Sequence, residues 1–198
     1  GDMSVFSFHP GKSITTGEGG AILTNNPDFY KKLAHLRTHG ITKDDKGFNV
    51  MTVLGYNYRI TDIQTALGVS QLKKLNKFVK ARQRTFDTYK KELAGTKDIF
   101  TPSVAKKSVS SNHLFVIRTK DPSKRDALAN FLKQSGIGVN FHYPTVYSHP
   151  YYRENGYHSL ALKNADLYHA SCITLPLYTT LKTSQVKYVC DKVKEFFT

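Results

Sequence analysis

The chain has 198 residues, with 29 Lys and Arg against 15 Asp and Glu, which gives a formal net charge of +14. Hydrophobic residues make up 39% and charged residues 22%, a composition that is typical of a folded globular protein and argues against a disordered one. No apolar run approaches the roughly 18 residues of a membrane-spanning helix, and two cysteines are too few for a zinc site or a disulfide framework. A reducing, cytoplasmic location is the simplest expectation.

The first elements surround a glycine-rich loop. Residues 4–8 predict a short buried strand, and a second apolar run follows the loop at 21–23. Asn26 and Pro27 begin a helix that ends near Gly40. Residues 40–59 show no period and predict a long loop, which in a compact domain is either functional or shielded by a partner.

A long basic helix is predicted from Asp62 to a stop at Gly95. Its predicted exposed positions are Lys73, Lys74, Lys77, Lys80, Arg82 and Arg84. This face and the net charge indicate either a solvated surface or attraction for a polyanion, which is nucleic acid or a phosphorylated cofactor or substrate. A basic nucleic-acid-binding module is therefore one hypothesis, although zinc-finger spacing, an RNP-like strand and a KH loop are absent from the sequence.

The C-terminal half predicts a compact α+β unit. Ser123 and Asp126 resemble a capping box that opens a helix, and Cys172 and Cys190 are expected to be buried structural thiols. The remaining expected elements are a strand at 113–117, a turn into a strand at 136–139, a Tyr- and His-rich loop at 141–158, a helix at 160–171, an apolar stretch at 172–177 and a last helix at 183–197.

The glycine-rich loop carries Lys12 just after a strand end, among small and hydroxyl-bearing residues. A lysine amine aimed into a cleft can form a Schiff base with an aldehyde when enough of it is unprotonated. Thr15, Thr16 and the glycine amides could serve phosphate or carboxylate oxygens. From composition alone, a solvated lysine on a polar loop explains the same residues.

Four segments match a known family in order. They are SFHPGKSITTGEGGAILTN at 7–25, LRTHGI at 36–41, GYNYRITDIQTALG at 55–68, and the stretch from Val139 to Tyr152. In these segments the chain resembles the DegT/DnrJ/EryC1/StrS family of sugar aminotransferases, which are fold-type I pyridoxal-phosphate enzymes. The resemblance runs essentially the length of the chain.

The resemblance implies an α/β fold in two parts. Residues 1–95 would form the end of an aspartate aminotransferase-like large domain, and residues 96–198 a small α+β C-terminal domain. The implied activity is transfer of an amino group from glutamate to a nucleotide-linked 4-keto-6-deoxy sugar, on the way to a surface glycan or pseudaminic acid-type sugar. Pyridoxal 5'-phosphate is the implied cofactor, and a homodimer the implied assembly, because fold-type I sites form between two subunits.

The resemblance also implies roles for five residues. Lys12 would form the Schiff base with the cofactor and later move the proton between substrate and cofactor carbons. Asn57 matches the residue that reaches across the dimer to the cofactor phosphate. Arg59 either binds a phosphate or a substrate carboxylate, or forms a structural ion pair. His142 and Tyr143 either contact the nucleotide sugar or pack in the fold.

Family members carry a long N-terminal half before the lysine, whereas this sequence begins eleven residues before Lys12. In the family, that half supplies the acid that pairs with the pyridine nitrogen of the cofactor. The acid keeps this nitrogen protonated, and the cofactor acts as an electron sink only in that state. The expectation is a fragment of a larger enzyme, or a remnant with a scaffold role, that lacks efficient catalysis by itself.

Overall fold

The computed structural model describes residues 1–157 and 160–198. The chain divides into two compact units, Gly1–Asn76 and Lys77–Thr198. None of the helices in the described part combines the length and the apolar character that a membrane span requires. The long helix predicted to end the first domain is divided between the two units, and the domain boundary at 95/96 stays a prediction.

The first unit contains two small antiparallel sheets and the predicted N-terminal helix. The strand β1 pairs with β2 so that Val5 lies opposite Ile22, and β3 pairs with β4 as a hairpin. The side chain of Asn26 caps the first helix by accepting hydrogen bonds from two main-chain amides. The elements are β1 (Ser4–Ser7), β2 (Gly20–Leu23), α1 (Pro27–Leu36), β3 (Ile41–Lys43), β4 (Asn49–Met51) and α2 (Asp62–Leu72).

The predicted strand at the N-terminus is present, but its predicted burial is wrong. Val5 is 77% exposed and Phe6 is 49% exposed. The reason is an open cavity of about 1540 Å³ beside the two-stranded sheet, which β1, β2 and α1 line together with Tyr56 and Tyr58. The apolar pattern therefore predicted the strand correctly, but no other element of this unit covers it.

The predicted long loop at 40–59 contains the β3–β4 hairpin. The carboxylate of Asp44 holds the hairpin turn, because its Oδ1 accepts hydrogen bonds from the amides of Lys46 and Phe48. Strands of three residues are too short to show the alternation by which strands are recognised in a sequence. This part of the loop prediction is therefore wrong.

The single helix predicted from Asp62 is two helices. The first, α2, ends at Leu72, and the second, α3, spans Leu75–Glu92. Between them the amide of Lys74 bonds to the carbonyl of Gln71, three residues back, as in a tight 3₁₀ turn. No glycine or proline marks this break, so the periodic pattern runs through it.

The second unit packs α3, α4 and α7 with a three-stranded antiparallel sheet of order β5-β6-β7. Tyr89 on α3 is fully buried, its ring stacks on Phe115 at a centroid distance of 4.6 Å, and its hydroxyl donates to the carbonyl of Pro176. The further elements are β5 (Ile99–Phe100), β6 (Phe115–Thr119), α4 (Arg125–Gln134), α5 (Pro150–Tyr152), α6 (Lys163–Ser171), β7 (Cys172–Leu175) and α7 (Thr183–Glu195).

Two local predictions in this unit are wrong. The expected strand at 136–139 is reduced to a bridge between Asn140 and Thr174, whose main chains exchange two hydrogen bonds. The expected capping box of Ser123 and Asp126 does not form. The carboxylate of Asp121 instead accepts from the amide and hydroxyl of Ser123, which begins a 3₁₀ turn ahead of α4.

The predicted loop at 141–158 contains helical turns. They are Val146–Ser148, α5 and Arg153–Tyr157, and the last loop position, His158, lies outside the described residues. The other expected elements form with shifted ends: the strand predicted at 113–117 spans Phe115–Thr119, and the helix predicted at 160–171 begins at Lys163.

Three side chains of the second unit have a structural role. Arg82, predicted on the exposed basic face, is only 8% exposed, and its Nη1 donates to the carbonyls of His113 and Leu177. Burial lowers the pKa of Arg82. Cys172 and Cys190 are free and buried, as predicted. Burial raises the pKa of both thiols, that of Cys190 to about 12, so both are poor nucleophiles at neutral pH.

Candidate functional site

Lys12 lies in a closed loop between β1 and β2. The loop ends are joined by a hydrogen bond of 2.8 Å from the Phe8 amide to the Gly19 carbonyl. The amide of Thr16 donates to the carbonyl of Phe8 at 3.0 Å, and the amide of Lys12 donates to the carbonyl of His9 at 2.9 Å. These bonds fix the main chain on both sides of the lysine.

The Lys12 side chain is half-buried. Within residues 1–157 and 160–198, no hydrogen bond or ion pair engages its Nζ. Lys12 does not line the cavity beside β1. The chain therefore presents a primary amine on a fixed loop, and no carboxylate of the described residues neutralises it.

The hydroxyls of the loop serve the loop itself. Thr15 Oγ1 donates to the carbonyl of Phe8 at 2.8 Å and accepts from the amide of Gly17. Thr16 is 4% exposed, and its Oγ1 donates to the carbonyl of Glu18 at 2.7 Å. Each hydroxyl has a single proton, which is already used. Both hydroxyl protons are therefore engaged within the loop, and the expected service of Thr15, Thr16 and the glycine amides to phosphate or carboxylate oxygens stays a prediction.

The segment before α2 has an extended backbone with two distinct sides. Tyr56 and Tyr58 stack on one side at a centroid distance of 4.8 Å. Since side chains alternate along an extended chain, Asn57 points to the other side, and both Asn57 and Arg59 are exposed. The close approach of this segment to the main chain at Gly40 needs Gly55, because a Cβ there would overlap the nitrogen of Gly40.

The first turns of α2 contact the lysine loop. Gln64 Nε2 donates to the carbonyl of Glu18 at 3.0 Å. One turn later, a Cβ on Gly68 would stand 2.9 Å from the Cγ2 of Thr16. The structure thus brings together the segments 7–25 and 55–68, which carry Lys12, Asn57 and Arg59.

Gln64, Gly68 and Glu18 were missed as site residues at the sequence level. The spacing of Thr61 and Gln64 matches a capping box, which forms here. The capping-box motif does not indicate that the side-chain amide of Gln64 also donates to Glu18, which lies 46 residues earlier in the chain. A signal for Gly68 is its position inside a helix, where glycine is unfavourable unless close packing requires it.

His142 and Tyr143 belong to the second unit. His142 Nδ1 lies 2.7 Å from the Thr174 hydroxyl, and its ring meets that of Tyr143 edge-on. The peptide bond between them is cis. Tyr143 is 65% exposed. His142 is thus held against β7, whereas Tyr143 presents a phenol to solvent.

The residues present fit part of a pyridoxal-phosphate site. Lys12 supplies an amine without an internal partner, which suits an aldehyde, and the exposed amide of Asn57 is a suitable donor for a phosphate oxygen. The backbone bonds around Lys12 limit where its amine can reach. Lys12 would hold the aldehyde end of a cofactor, and Asn57 the phosphate end of the cofactor in a partner subunit.

Comparison with known proteins identifies the family. The model of the DegT/DnrJ/EryC1/StrS aminotransferase family matches residues 1–194. A relative from Campylobacter jejuni, UDP-4-amino-4,6-dideoxy-N-acetyl-beta-L-altrosamine transaminase, is 35% identical over 192 residues, which cover 96% of this chain and 51% of the relative.

Solved structures agree with this match. An aminotransferase of Helicobacter pylori involved in the biosynthesis of pseudoaminic acid has a TM-score of 0.92 at 31% identity, covering 99% of this chain and 53% of that one. A protein assigned as a sugar aminotransferase of Streptococcus pneumoniae, in its PLP form, has a TM-score of 0.87 at 29% identity over 98% of this chain and 51% of that one. The fold is therefore the predicted α/β fold of the pyridoxal-phosphate-dependent sugar aminotransferases.

The chain spans about half the length of the curated relatives that it matches. Aminotransferases of this family depend on pyridoxal phosphate. With a family match over residues 1–194 and identities above 30% to its relatives, this chain belongs to the DegT/DnrJ/EryC1/StrS aminotransferase family.

Proposed function

We propose that this chain is the lysine-bearing portion of a pyridoxal-phosphate-dependent nucleotide-sugar aminotransferase. The observation that carries the proposal is Lys12, a half-buried amine without an internal partner on a loop whose backbone is fixed on both sides. The family match, which includes this loop, supports the same function.

Lys12 has two tasks in this function. Bound pyridoxal phosphate supplies an aldehyde and an electron sink. The Nζ of Lys12 would hold the aldehyde end of the cofactor, and it would carry a proton to and from the reacting carbon of the substrate. The hydrogen bonds of residues 8–19 keep the amine in reach of one place, so that the same atom serves in both tasks.

The remaining assignments complete the proposal. Asn57 binds the cofactor phosphate across a homodimer, and Arg59 binds a phosphate or carboxylate, which the exposure of both side chains permits. His142 and Tyr143 contact the nucleotide sugar, and the exposed phenol of Tyr143 suits this role better than packing.

The proposed reaction moves an amino group from glutamate to a UDP-linked 4-keto-6-deoxy sugar for surface-glycan or pseudaminic acid-type synthesis. The name of the Campylobacter relative supports this substrate class. We also propose a cytoplasmic location, for which the free thiols of Cys172 and Cys190 are the support. Residues 1–95 are proposed as the end of the large domain, including the long linking helix, and residues 96–198 as the small C-terminal domain.

The competing nucleic-acid-binding module finds less support. Burial of Arg82 removes one of the cations of the proposed basic face, although Lys73, Lys74, Lys77 and Lys80 remain exposed. Binding to DNA or RNA that weakens steeply with salt would favour this alternative. A remnant with a scaffold role would leave Lys12 no more reactive than other lysines.

The test compares lysines within one protein. The chain is mixed with pyridoxal phosphate, reduced with borohydride and digested, and the labelled fraction at each lysine is measured by mass spectrometry. We expect the largest fraction at Lys12, its loss in Lys12→Arg, and no change at Lys12 in Lys43→Arg, which alters an exposed lysine on β3. Equal labelling of Lys12 and Lys43 would overturn the assignment.

Substrate transfer is tested separately. The protein is supplied with pyridoxal phosphate, glutamate and a UDP-linked or a GDP-linked 4-keto-6-deoxy sugar, and the 4-amino product is detected by mass spectrometry. Product from the UDP sugar supports the proposed substrate class. Product from the GDP sugar alone overturns the nucleotide assignment while the role of Lys12 stands.

A further inference from the structure

We propose that Gln64 is a positioning residue, which holds the lysine loop in place from the first turn of α2. Its amide group makes two kinds of contact at once. Nε2 donates to the main-chain carbonyl of Glu18 in the loop, and Oε1 accepts from the main-chain amide of Thr61 at the helix start. One side chain therefore joins the fixed end of a helix to the loop that carries Lys12.

The helix side of this contact is rigidly built. Gln64 and Thr61 form a reciprocal capping box, in which Thr61 Oγ1 accepts from the Gln64 amide at 3.3 Å and the Thr61 amide donates to Gln64 Oε1 at 3.1 Å. The hydroxyl of Thr61 is also 3.0 Å from Gln64 Oε1. With its oxygen held in this way, the amide group can turn only its NH₂ toward the loop.

The loop side is held at a single carbonyl. Glu18 O accepts from Gln64 Nε2 at 3.0 Å and from Thr16 Oγ1 at 2.7 Å. The Thr16 bond lies within the loop and shapes it, whereas the Gln64 bond connects the loop to another element. Gly68, one turn along α2, contacts the methyl of Thr16, so the packing and the hydrogen bond act on the same short segment.

The residue type matters because glutamine has a donor that glutamate lacks. A capping box works with either Glu or Gln at the third helical position. Capping of α2 needs only the side-chain oxygen of Gln64. The bond from its Nε2 to the loop is therefore a second role, separate from helix formation. The consequence for Lys12 rests on the function proposed above, whereas the connection between α2 and the loop does not.

The substitution Gln64→Glu separates the two contacts. The carboxylate keeps the oxygen that caps α2 but removes the donor to Glu18, and it places a negative charge against a carbonyl. We expect hydrogen exchange at the amides of Phe8 and Thr16 to accelerate on the order of tenfold, which corresponds to the loss of one hydrogen bond. The amide of Thr65, which bonds to the carbonyl of Thr61 within the helix start, should keep its rate.

Thr61→Ala is the matched control. It removes the hydroxyl that caps α2 and leaves the Gln64 donor in place, so the Thr65 amide should exchange faster with a smaller change in the loop. If Gln64→Glu accelerates Thr65 as much as Phe8 and Thr16, Gln64 is only a helix cap and the proposal fails. Unchanged exchange at Phe8 and Thr16 would overturn it as well.

A pH series gives a readout that a purely structural role would not move. As pH falls through about 4.3, the introduced carboxyl becomes protonated and regains an O–H donor. The difference in loop exchange between Gln64→Glu and the unaltered chain should then shrink. The neighbouring carboxylates Glu18 and Asp62 are present in both proteins, so their contribution cancels in the comparison. A difference that is independent of pH would contradict the donor role.

Labelling of Lys12 distinguishes this proposal from the function. In Gln64→Glu, the ratio of Lys12 to Lys43 labelling by pyridoxal phosphate and borohydride should fall severalfold, because the amine is no longer held at one place. If loop exchange responds as expected but Lys12 is never preferentially labelled, the connection stands and the cofactor function fails. If labelling is preferential but insensitive to Gln64→Glu, the positioning role fails and the function stands.

Discussion

The contact of Gly68 with Thr16 makes the sign of a single substitution depend on a residue in the lysine loop. Gly68 lies in the interior of α2, where Gly→Ala ordinarily stabilises a helix by about 1 kcal/mol. Here the new Cβ would stand 2.9 Å from Thr16 Cγ2. Thr16 is 4% exposed and fixed by its hydroxyl, so it has little room to move.

Overpacking of this kind costs about 1–3 kcal/mol. The gain in helix propensity of about 1 kcal/mol offsets part of this cost. The net effect of Gly68→Ala on stability should therefore lie between zero and a loss of about 2 kcal/mol. Thr16→Ser removes the methyl but keeps the hydroxyl that donates to Glu18. In that background, Gly68→Ala should stabilise α2 by about 1 kcal/mol.

Hydrogen exchange of α2 amides in the four proteins measures the coupling. We expect a coupling free energy of about 1–3 kcal/mol between the two positions. Ser70→Ala is the control, because Ser70 is exposed on the same helix. This substitution should stabilise α2 by about 0.5 kcal/mol whether residue 16 is Thr or Ser. Equal effects of Gly68→Ala with and without the Thr16 methyl would refute the contact and the packing argument built on it.

Two further predictions concern the second unit. Tyr89→Phe should lower the free energy of unfolding in urea by about 1 kcal/mol, because the carbonyl of the half-buried Pro176 loses the donor of a fully buried side chain. Tyr188→Phe, at an exposed hydroxyl, should cost less than about 0.5 kcal/mol, and equal losses would contradict the role of burial. Since burial raises the pKa of Cys190 from 9.0 to about 12, its neutral thiol contributes stability that is complete below pH 9 and declines as pH rises toward 12. The stability advantage of the unaltered chain over Cys190→Ala should therefore shrink by about 1.4 kcal/mol per pH unit in this range, and parallel pH curves would be the contrary result.

Patterns that depend on neighbours in the sequence predicted the fold well. The caps and apolar spacing of α1 and α7 are local, and both helices form close to their expected positions. The β3–β4 hairpin and the break after Leu72 escaped prediction because neither has a sequence signal of sufficient length. The exposure of β1 was not predicted for another reason: an apolar sequence pattern indicates a strand but not which element packs against it.

The candidate site was predicted in its chemistry but not in its construction. A family motif identified Lys12, and its assignment stays a prediction until it is labelled. Nothing in the local sequence indicated that Gln64 would donate to the carbonyl of Glu18, or that Arg82 would be enclosed between two carbonyls. Such contacts join segments far apart in the chain, and only the folded backbone determines which carbonyl lies within reach of which donor.

The placement of the two cysteines gives the molecule an internal reporter. The whole chain contains two thiols, and both are enclosed in Lys77–Thr198, while Gly1–Asn76 has none. A thiol-specific reagent at neutral pH will therefore react only as that second unit opens, and its rate measures the opening frequency of one unit without any engineered label. Ligands that bind only the first unit will leave this rate unchanged unless the two units unfold together.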